Sequence, residues 1–432
     1  MTTESASLSQ LSIAFQQKGE QSLAFRAFLI DEAKAMLLRL KELRPFAMTI
    51  PMVANANIPI EAQRGIEDLL KAGKQELKQR IQQFMALLRN KENLSAEEAQ
   101  RVFALLKLKF NALLDQIDIF ADVISQRSEH HFGVWLAGLD VLVKDALHIE
   151  GNYYTAPPMV CYLDRGHGAA IRRARTRLPG GKSNPVAVIR VPRERMISNG
   201  IASSLVHEVG HQGATLLDVL NPLRVTLRGK AAADSPRRQA WELFERWISE
   251  IISDFWSVST LGITATTGLI GVVSLPQYFV FRMNIDDPHP FPWIRVKISL
   301  AFGQVLYPDA QWKRLENFWN NAYPTHKLPA NKQALLQLIE ASIPAFVELV
   351  IQHRPAKLQG KTLASVFPLA ARQPQQLRQL QREWKKNPKA IYQARPALVF
   401  AVLGQARADH RITPEEESGL LKRVLMEWAG KS

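Results

Sequence analysis

The sequence predicts a mainly α-helical protein with a small α+β core in its middle third. Three observations carry this. Apolar residues recur at three- and four-residue spacing through most of the first 150 positions and again from about Trp293 onward, as amphipathic helices require. Between Asn152 and Pro192 that periodicity gives way to Pro157, Pro158, Gly166, Gly168, Pro179, Gly180 and Gly181, which cut the chain into short pieces. Inside that stretch, Val186-Ala187-Val188-Ile189-Arg190-Val191 is rich in β-branched residues and bounded by prolines, so it reads as a strand. The expected division is a helical region over 1–150, a central α+β domain over 151–325 and a second helical region over 326–432.

Taken in order, the first helix is expected around Ala24 to Leu43, where Leu29, Ala33, Met36, Leu37 and Leu40 form one apolar face. Pro45 to Pro59 is a proline-punctuated connection, followed by a helix over about Glu61 to Leu88. Ser95-Ala96-Glu97-Glu98 has the spacing of a capping box and starts a third helix. A fourth is expected over Val134 to Leu147. After the strand, Asn199 and Gly200 precede a helix from Ile201 to about Leu220. Asp286-Asp287-Pro288-His289-Pro290-Phe291-Pro292 is a turn-rich loop. Helices resume near Trp293 and run through Leu335 to Ile351. Thr413-Pro414-Glu415-Glu416 joins an N-cap, a proline at the first helical position and a glutamate at the third, opening a last helix to Trp428.

Composition narrows the function classes. The chain has 432 residues, 47% of them hydrophobic and 22% charged, which is ordinary for a folded protein. Its single cysteine, Cys161, forbids an internal disulfide and suits a reducing compartment. The start, Met1-Thr2-Thr3-Glu4-Ser5, does not read as a secretory signal, so a cytoplasmic location is expected, with membrane association or non-classical export as alternatives. Fifty-five Lys+Arg against 40 Asp+Glu give a net charge of +15, which favours acidic partners, although no nucleic-acid recognition motif accompanies it. The uncharged stretch from Phe255 to Phe281 approaches the ~20 apolar residues of a membrane span. Its recurrent Ser and Thr and the interruption at Pro276 instead suggest a buried core segment, with membrane insertion as the alternative.

The chemistry concentrates at His207-Glu208-Val209-Gly210-His211. Residues four apart on a helix share a face, so both imidazoles can reach one ion, and zinc is the metal this donor set expects. Glu208 is placed to act as general base toward a metal-bound water. A third ligand can follow on the same segment, but the positions that would carry the required glycine and third ligand hold Ala214 and Leu217. The alternative is a carboxylate on a second helix. Ser249-Glu250-Ile251-Ile252-Ser253-Asp254 supplies Glu250 as third ligand, with Asp254 one turn on to orient a ligating histidine.

These elements resemble the gluzincin metallopeptidases, and most of all peptidase family M48. The His-Glu-x-x-His helix, the Glu250…Asp254 element with Ser253 in place of the family's alanine, and His289-Pro290 followed by Arg295 carry the likeness. It spans about Pro157 to Ala310. The resemblance implies a zincin-like core: a short antiparallel sheet whose edge strand, Val186 to Val191, lies beside the metal helix and pairs with extended substrate. It implies a zinc endopeptidase acting on a protein or peptide substrate, with Glu208 moving the proton. His289, or less directly Tyr278, would supply the oxyanion donor. Arg295 would be the structural partner of Asp254 or Glu250.

Other signals are weaker. Arg165, Arg172, Arg173, Arg175, Arg177, Lys182, Arg190, Arg193 and Arg195 concentrate cations upstream of the metal helix, and Arg372 to Lys389, with Trp384, forms a second basic run. Each reads as a rim for an acidic substrate or as a solvated face. His130, His131, His148 and His167 lack ligand spacing with a partner. A second function class stays in view: a non-catalytic, zinc-stabilised binding protein that holds an acidic partner or polyanion on its basic surfaces.

Overall fold

The structure, a computed structural model, describes residues 4–90, 94–164, 169–192 and 198–431, with side chains throughout except at 4–22, 47–48 and 130. His167, Arg165, Arg193 and Arg195 therefore lie outside the described residues, and so does the side chain of His130. Contacts divide the chain into two compact units.

The first unit comprises Met1–Pro51, Gln63–Ser125 and Thr176–Pro185. It is built on α1 (Glu4–Glu42), the single turn α2 (Phe46–Thr49), α3 (Ile60–Arg89) and α4 (Ala96–Ser125). Ala33, Met36 and Leu40 of α1 meet Leu77, Ile81, Phe84 and Leu88 of α3 and Phe103, Leu106 and Phe110 of α4 in one apolar cluster. The expected capping box is present at the head of α4. The Ser95 hydroxyl accepts from the Glu98 amide (3.2 Å) and the Glu98 carboxylate accepts from the Ser95 amide (2.8 Å).

The second unit comprises Met52–Ala62, Gln126–Arg175 and Val186–Ser432. It contains α5 (His130–Leu147), β1 (Met159–Asp164), β2 (Ala170–Arg172) and β3 (Ala187–Pro192). Then come α6 (Asn199–Leu216), α7 (Leu220–Ala233), α8 (Arg238–Leu261), α9 (Ile263–Val273), the single turn α10 (Gln277–Val280), α11 (Pro292–Leu306) and α12 (Ala310–Ala322). The chain closes with α13 (Ala330–Gln352), α14 (Pro374–Lys386), α15 (Pro396–Ala408) and α16 (Pro414–Ala429), whose capping box at Thr413 and Glu416 is formed. This division differs from boundaries at 150 and 325. Residues after 326 join the same core, where Phe346 stacks on Phe244 at 4.1 Å and Phe367 packs edge-on against Trp256 at 4.9 Å, while Leu377, Ala401 and Val402 of α14 and α15 form a small cluster beside it.

The sheet corrects one expectation. It is mixed, in the order β1-β3-β2, with β1 and β3 parallel and β2 and β3 antiparallel. Val186 to Val191 is thus the central strand and not an edge. Its apolar run, interrupted only at Arg190, already has the character of a strand covered on both faces. The edges are β1 and β2. On β1, side chains occupy the outward backbone groups. The Gln126 amide bonds Leu163 at both amide and carbonyl (2.7 and 2.6 Å), Asp140 accepts from the Cys161 amide (2.7 Å), and Arg127 donates to the Cys161 carbonyl (2.7 Å). Arg127 and Asp140 form a fully buried ion pair (3.0 Å). Burial raises the Asp140 pKa despite that arginine.

The apolar stretch 255–281 is not one helix. α8 ends at Leu261, Gly262 takes φ 60°, and α9 follows, with both helices buried in the core. Among the described residues one helix, α13, is long and apolar enough to cross a membrane by length and composition, and its Leu336, Ile339, Phe346 and Val350 are buried in the same core.

Candidate metal centre

α6 and α8 build the site by approaching each other unusually closely. On α6, Gly210 lies inside the His-Glu-x-x-His run and faces α8. A Cβ there would sit 2.7 Å from the Ser253 Cα, and one at Gly213 would sit 2.3 Å from the Trp256 ring. Glycine at these two positions is what lets the backbones meet. With Ser253 small and fully buried, Glu250 is carried one turn away to the imidazoles of α6.

The His207 and His211 rings stand 4.9 Å apart at 88°. His207 Nε2 is 3.2 Å from Glu250 Oε2, and His211 Nε2 is 3.3 Å from Glu250 Oε1. Metal–ligand bonds of about 2.0–2.1 Å in a tetrahedron place neighbouring donors about 3.3 Å apart, and each imidazole stands at that separation from one of the two Glu250 oxygens. His207, His211 and Glu250 form such a donor cluster, the one found among the described residues, with donor atoms all within 4.8 Å of each other. His131 packs on Trp135 and His148 ends α5, both away from this cluster.

Around the donors lies a hydrogen-bonded layer. His207 Nδ1 contacts Asp254 Oδ1 at 2.7 Å, which leaves Nε2 turned toward Glu250. Arg295 grips Asp254 with two bonds, 2.7 and 2.9 Å, and reaches Glu250 at 3.5 Å. Ser249 Oγ lies 3.3 Å from His211 Nδ1, a support that sequence reasoning missed although Ser249 adjoins Glu250. Burial alone would raise the pKa of both Glu250 and Asp254. Hydrogen bonds and charge from His207 and Arg295, with His211 also bonding Glu250, overturn this and hold both acids below the usual carboxylate range. Burial pulls the His207 pKa down, but Asp254 and Glu250 outweigh it and raise it to about 9.

A cleft of about 270 Å³ opens beside the cluster, lined by His207, Glu208, Glu250, Asp254, His289 and Arg295. Ala169, immediately before β2, also lines it. The segment after β2 is tied to the metal helix: Gln212 accepts from the Ala174 amide (2.9 Å) and Thr215 accepts from Arg173 (2.6 Å). The edge strand beside the cleft is therefore β2, a three-residue strand too short to show in the sequence. Glu208 is 8% exposed and makes no hydrogen bond among the described residues, so its carboxylate is available to a molecule in the cleft. His289 reaches the cleft from its loop. Asp287 accepts from its amide (2.9 Å), its Nδ1 is 2.8 Å from the same oxygen, and its Nε2 is 3.8 Å from Glu250.

Tyr278 is placed elsewhere. It lies in α10, 78% exposed, packs edge-on against Phe279 and does not line the cleft. Pro276 begins a turn that points it to solvent. The cation clusters are partly structural. Arg190 pairs with Asp164 (3.6 Å) and Lys182 with Glu76 (3.4 Å). Arg372 is buried and donates to the Thr260 carbonyl (2.6 Å), while Arg378 joins Asp309 and Asp409 (2.8 Å each). No protein-family model, no curated protein and no solved structure matches the chain.

Proposed function

We propose that the chain is a zinc-dependent endopeptidase of the gluzincin kind, similar to family M48. The observation that carries this reading is the meeting of His207, His211 and the Glu250 carboxylate, with donor atoms all within 4.8 Å of one another, beside a Glu208 carboxylate without a hydrogen bond in the cleft. His207, His211 and Glu250 would hold the ion. When bound, zinc lowers the pKa of a water and polarises a carbonyl.

The other roles fall to the chain's own residues. Glu208 takes the proton of the attacking water and passes it to the leaving amine. Asp254 fixes the ring of His207, and Arg295 keeps Asp254 ionised and in place. With Nδ1 held by Asp287, His289 turns toward the cleft as the candidate donor to a developing oxyanion. An extended substrate would lie along β2.

The test compares the full chain with Glu208→Gln after zinc loading. Peptide hydrolysis should vanish in the variant while one zinc per chain is retained. Full activity without Glu208, or loss of zinc on this change alone, would refute the role. If neither protein hydrolyses peptides and chelation unfolds both, the reading of a zinc-stabilised binding protein replaces it.

A further inference from the structure

Beside the donor cluster the cleft is walled by α6, α8 and α9, and the α9 side forms a recess. Ala265, Leu269 and Val272 line it at i, i+4 and i+7, one face of that helix, and Val258 of α8 adjoins them. The charged residues lining the cleft are those of the metal cluster and its neighbours, His207, Glu208, Glu250, Asp254, His289 and Arg295. The buried hydroxyls around the recess are already engaged. Ser203 donates to the Ala265 carbonyl (2.9 Å), Ser257 to the Ser203 carbonyl (3.3 Å), and Ser299 shares a bond with Thr266 (2.8 Å). The recess therefore presents an uncharged surface of apolar side chains and serine hydroxyls.

It is also shallow. α9 rests directly on α6: a Cβ on Gly268 would lie 2.4 Å from the Ser203 Cβ, so the two helices meet and close the far end. The entire cleft measures about 270 Å³. A cavity of about 150 Å³ is enough to hold a benzene ring. An aromatic side chain would thus take more than half of a space that must also hold the scissile group and the attacking water. An alanine, serine, threonine or valine side chain leaves room for both.

Resting on the peptidase reading above, we propose that this recess receives the substrate side chain next to the scissile bond and selects small uncharged residues. Leu269 and Ala265 set its depth. Pockets of this kind discriminate one added methylene by about 10–200-fold when the extra group cannot be accommodated.

The experiment uses the full zinc-loaded chain and a peptide library varied on both sides of one fixed bond, with cleavage read by mass spectrometry. On one side of the bond, Ala, Ser, Thr and Val should be cleaved at least about tenfold faster than Leu, Phe, Lys or Glu. Leu269→Ala should move the preference toward Leu and Ile. Ala265→Leu should confine it to Gly and Ala. The opposite signs of the two shifts separate pocket geometry from a general loss of folding, which thermal melting of both variants checks.

Equal cleavage of small and large residues, abolished by Glu208→Gln, overturns the recess assignment and leaves the peptidase reading standing. A profile unmoved in both variants overturns it too. Absence of any cleavage that depends on Glu208 overturns both.

Discussion

Gly210 offers the sharpest test of how the metal centre is assembled. In Gly210→Ala the new Cβ would lie 2.7 Å from the Ser253 Cα, 2.9 Å from the Trp256 Cβ and 3.0 Å from the Ser253 carbonyl oxygen. Carbon atoms pack at about 3.5–4.0 Å, so α8 must recede from α6 by about 1 Å. Backbone atoms form most of this contact, and no side-chain rotation relieves it. Overpacking of this sort costs about 1–3 kcal/mol of stability. The larger effect falls on zinc, because Glu250 rides on α8 one turn from Ser253 and metal–ligand distances tolerate only about 0.2 Å. Zinc affinity should fall at least about tenfold, a loss in the range produced when ligand support is disturbed. Competition with a chromophoric chelator measures it, with circular dichroism to show that the helices persist. Gly229→Ala serves as the control, since an added Cβ on that exposed α7 position meets nothing within 4 Å and should stabilise by about 0.5–1 kcal/mol. Wild-type zinc affinity and an unchanged melting temperature in Gly210→Ala would refute the argument that glycine sets the α6–α8 distance.

Two further outcomes follow from the layer around the donors. Asp254→Asn should keep the fold and weaken zinc binding by about 10–100-fold, read by the same competition, since the ring of His207 loses its anionic partner. The raised pKa of His207, about 9, fixes the sign of two pH effects. In the metal-free protein its contribution to stability is fully present below the ordinary histidine pKa of about 6.5 and is lost as pH rises through about 9, which denaturant melts at pH 6 and pH 10 will show. Zinc must displace that proton, so binding near pH 7.5 should release it, measurable as a buffer-dependent calorimetric enthalpy. Identical enthalpies in buffers of different ionisation heat would contradict the assignment.

The cluster of His207, His211 and Glu250 was legible in the sequence because its parts are local. The spacing of His207 and His211, and of Glu250 and Asp254, is one helical turn, and periodicity alone puts each pair on a face. Capping boxes at Ser95 and Thr413 were legible for the same reason. The sheet was less so. Val186 to Val191 reads as a strand from its own residues, but its place between β1 and β2 depends on chain segments about 20–30 positions away. β2 has three residues and no pattern to display. Tyr278 is the right residue type for an oxyanion donor, but its place in α10, exposed and outside the cleft lining, could not be read from the sequence. Arg372 and Arg378 counted as surface charge in the sequence, and only the fold reveals the carbonyl and carboxylates that they hold.

The closed edge of β1 has a consequence for encounters with other chains. A strand edge is an invitation to any extended peptide, including another copy of the same protein. Here Gln126, Arg127 and Asp140 answer the invitation at Cys161 and Leu163, so a visitor finds those backbone groups spoken for. The other edge of the sheet is β2, and Ala169 just before it lines the cleft. Mutations that unseat Asp140 would therefore do more than loosen the core. They would uncover a second strand edge on which extended chains could pair.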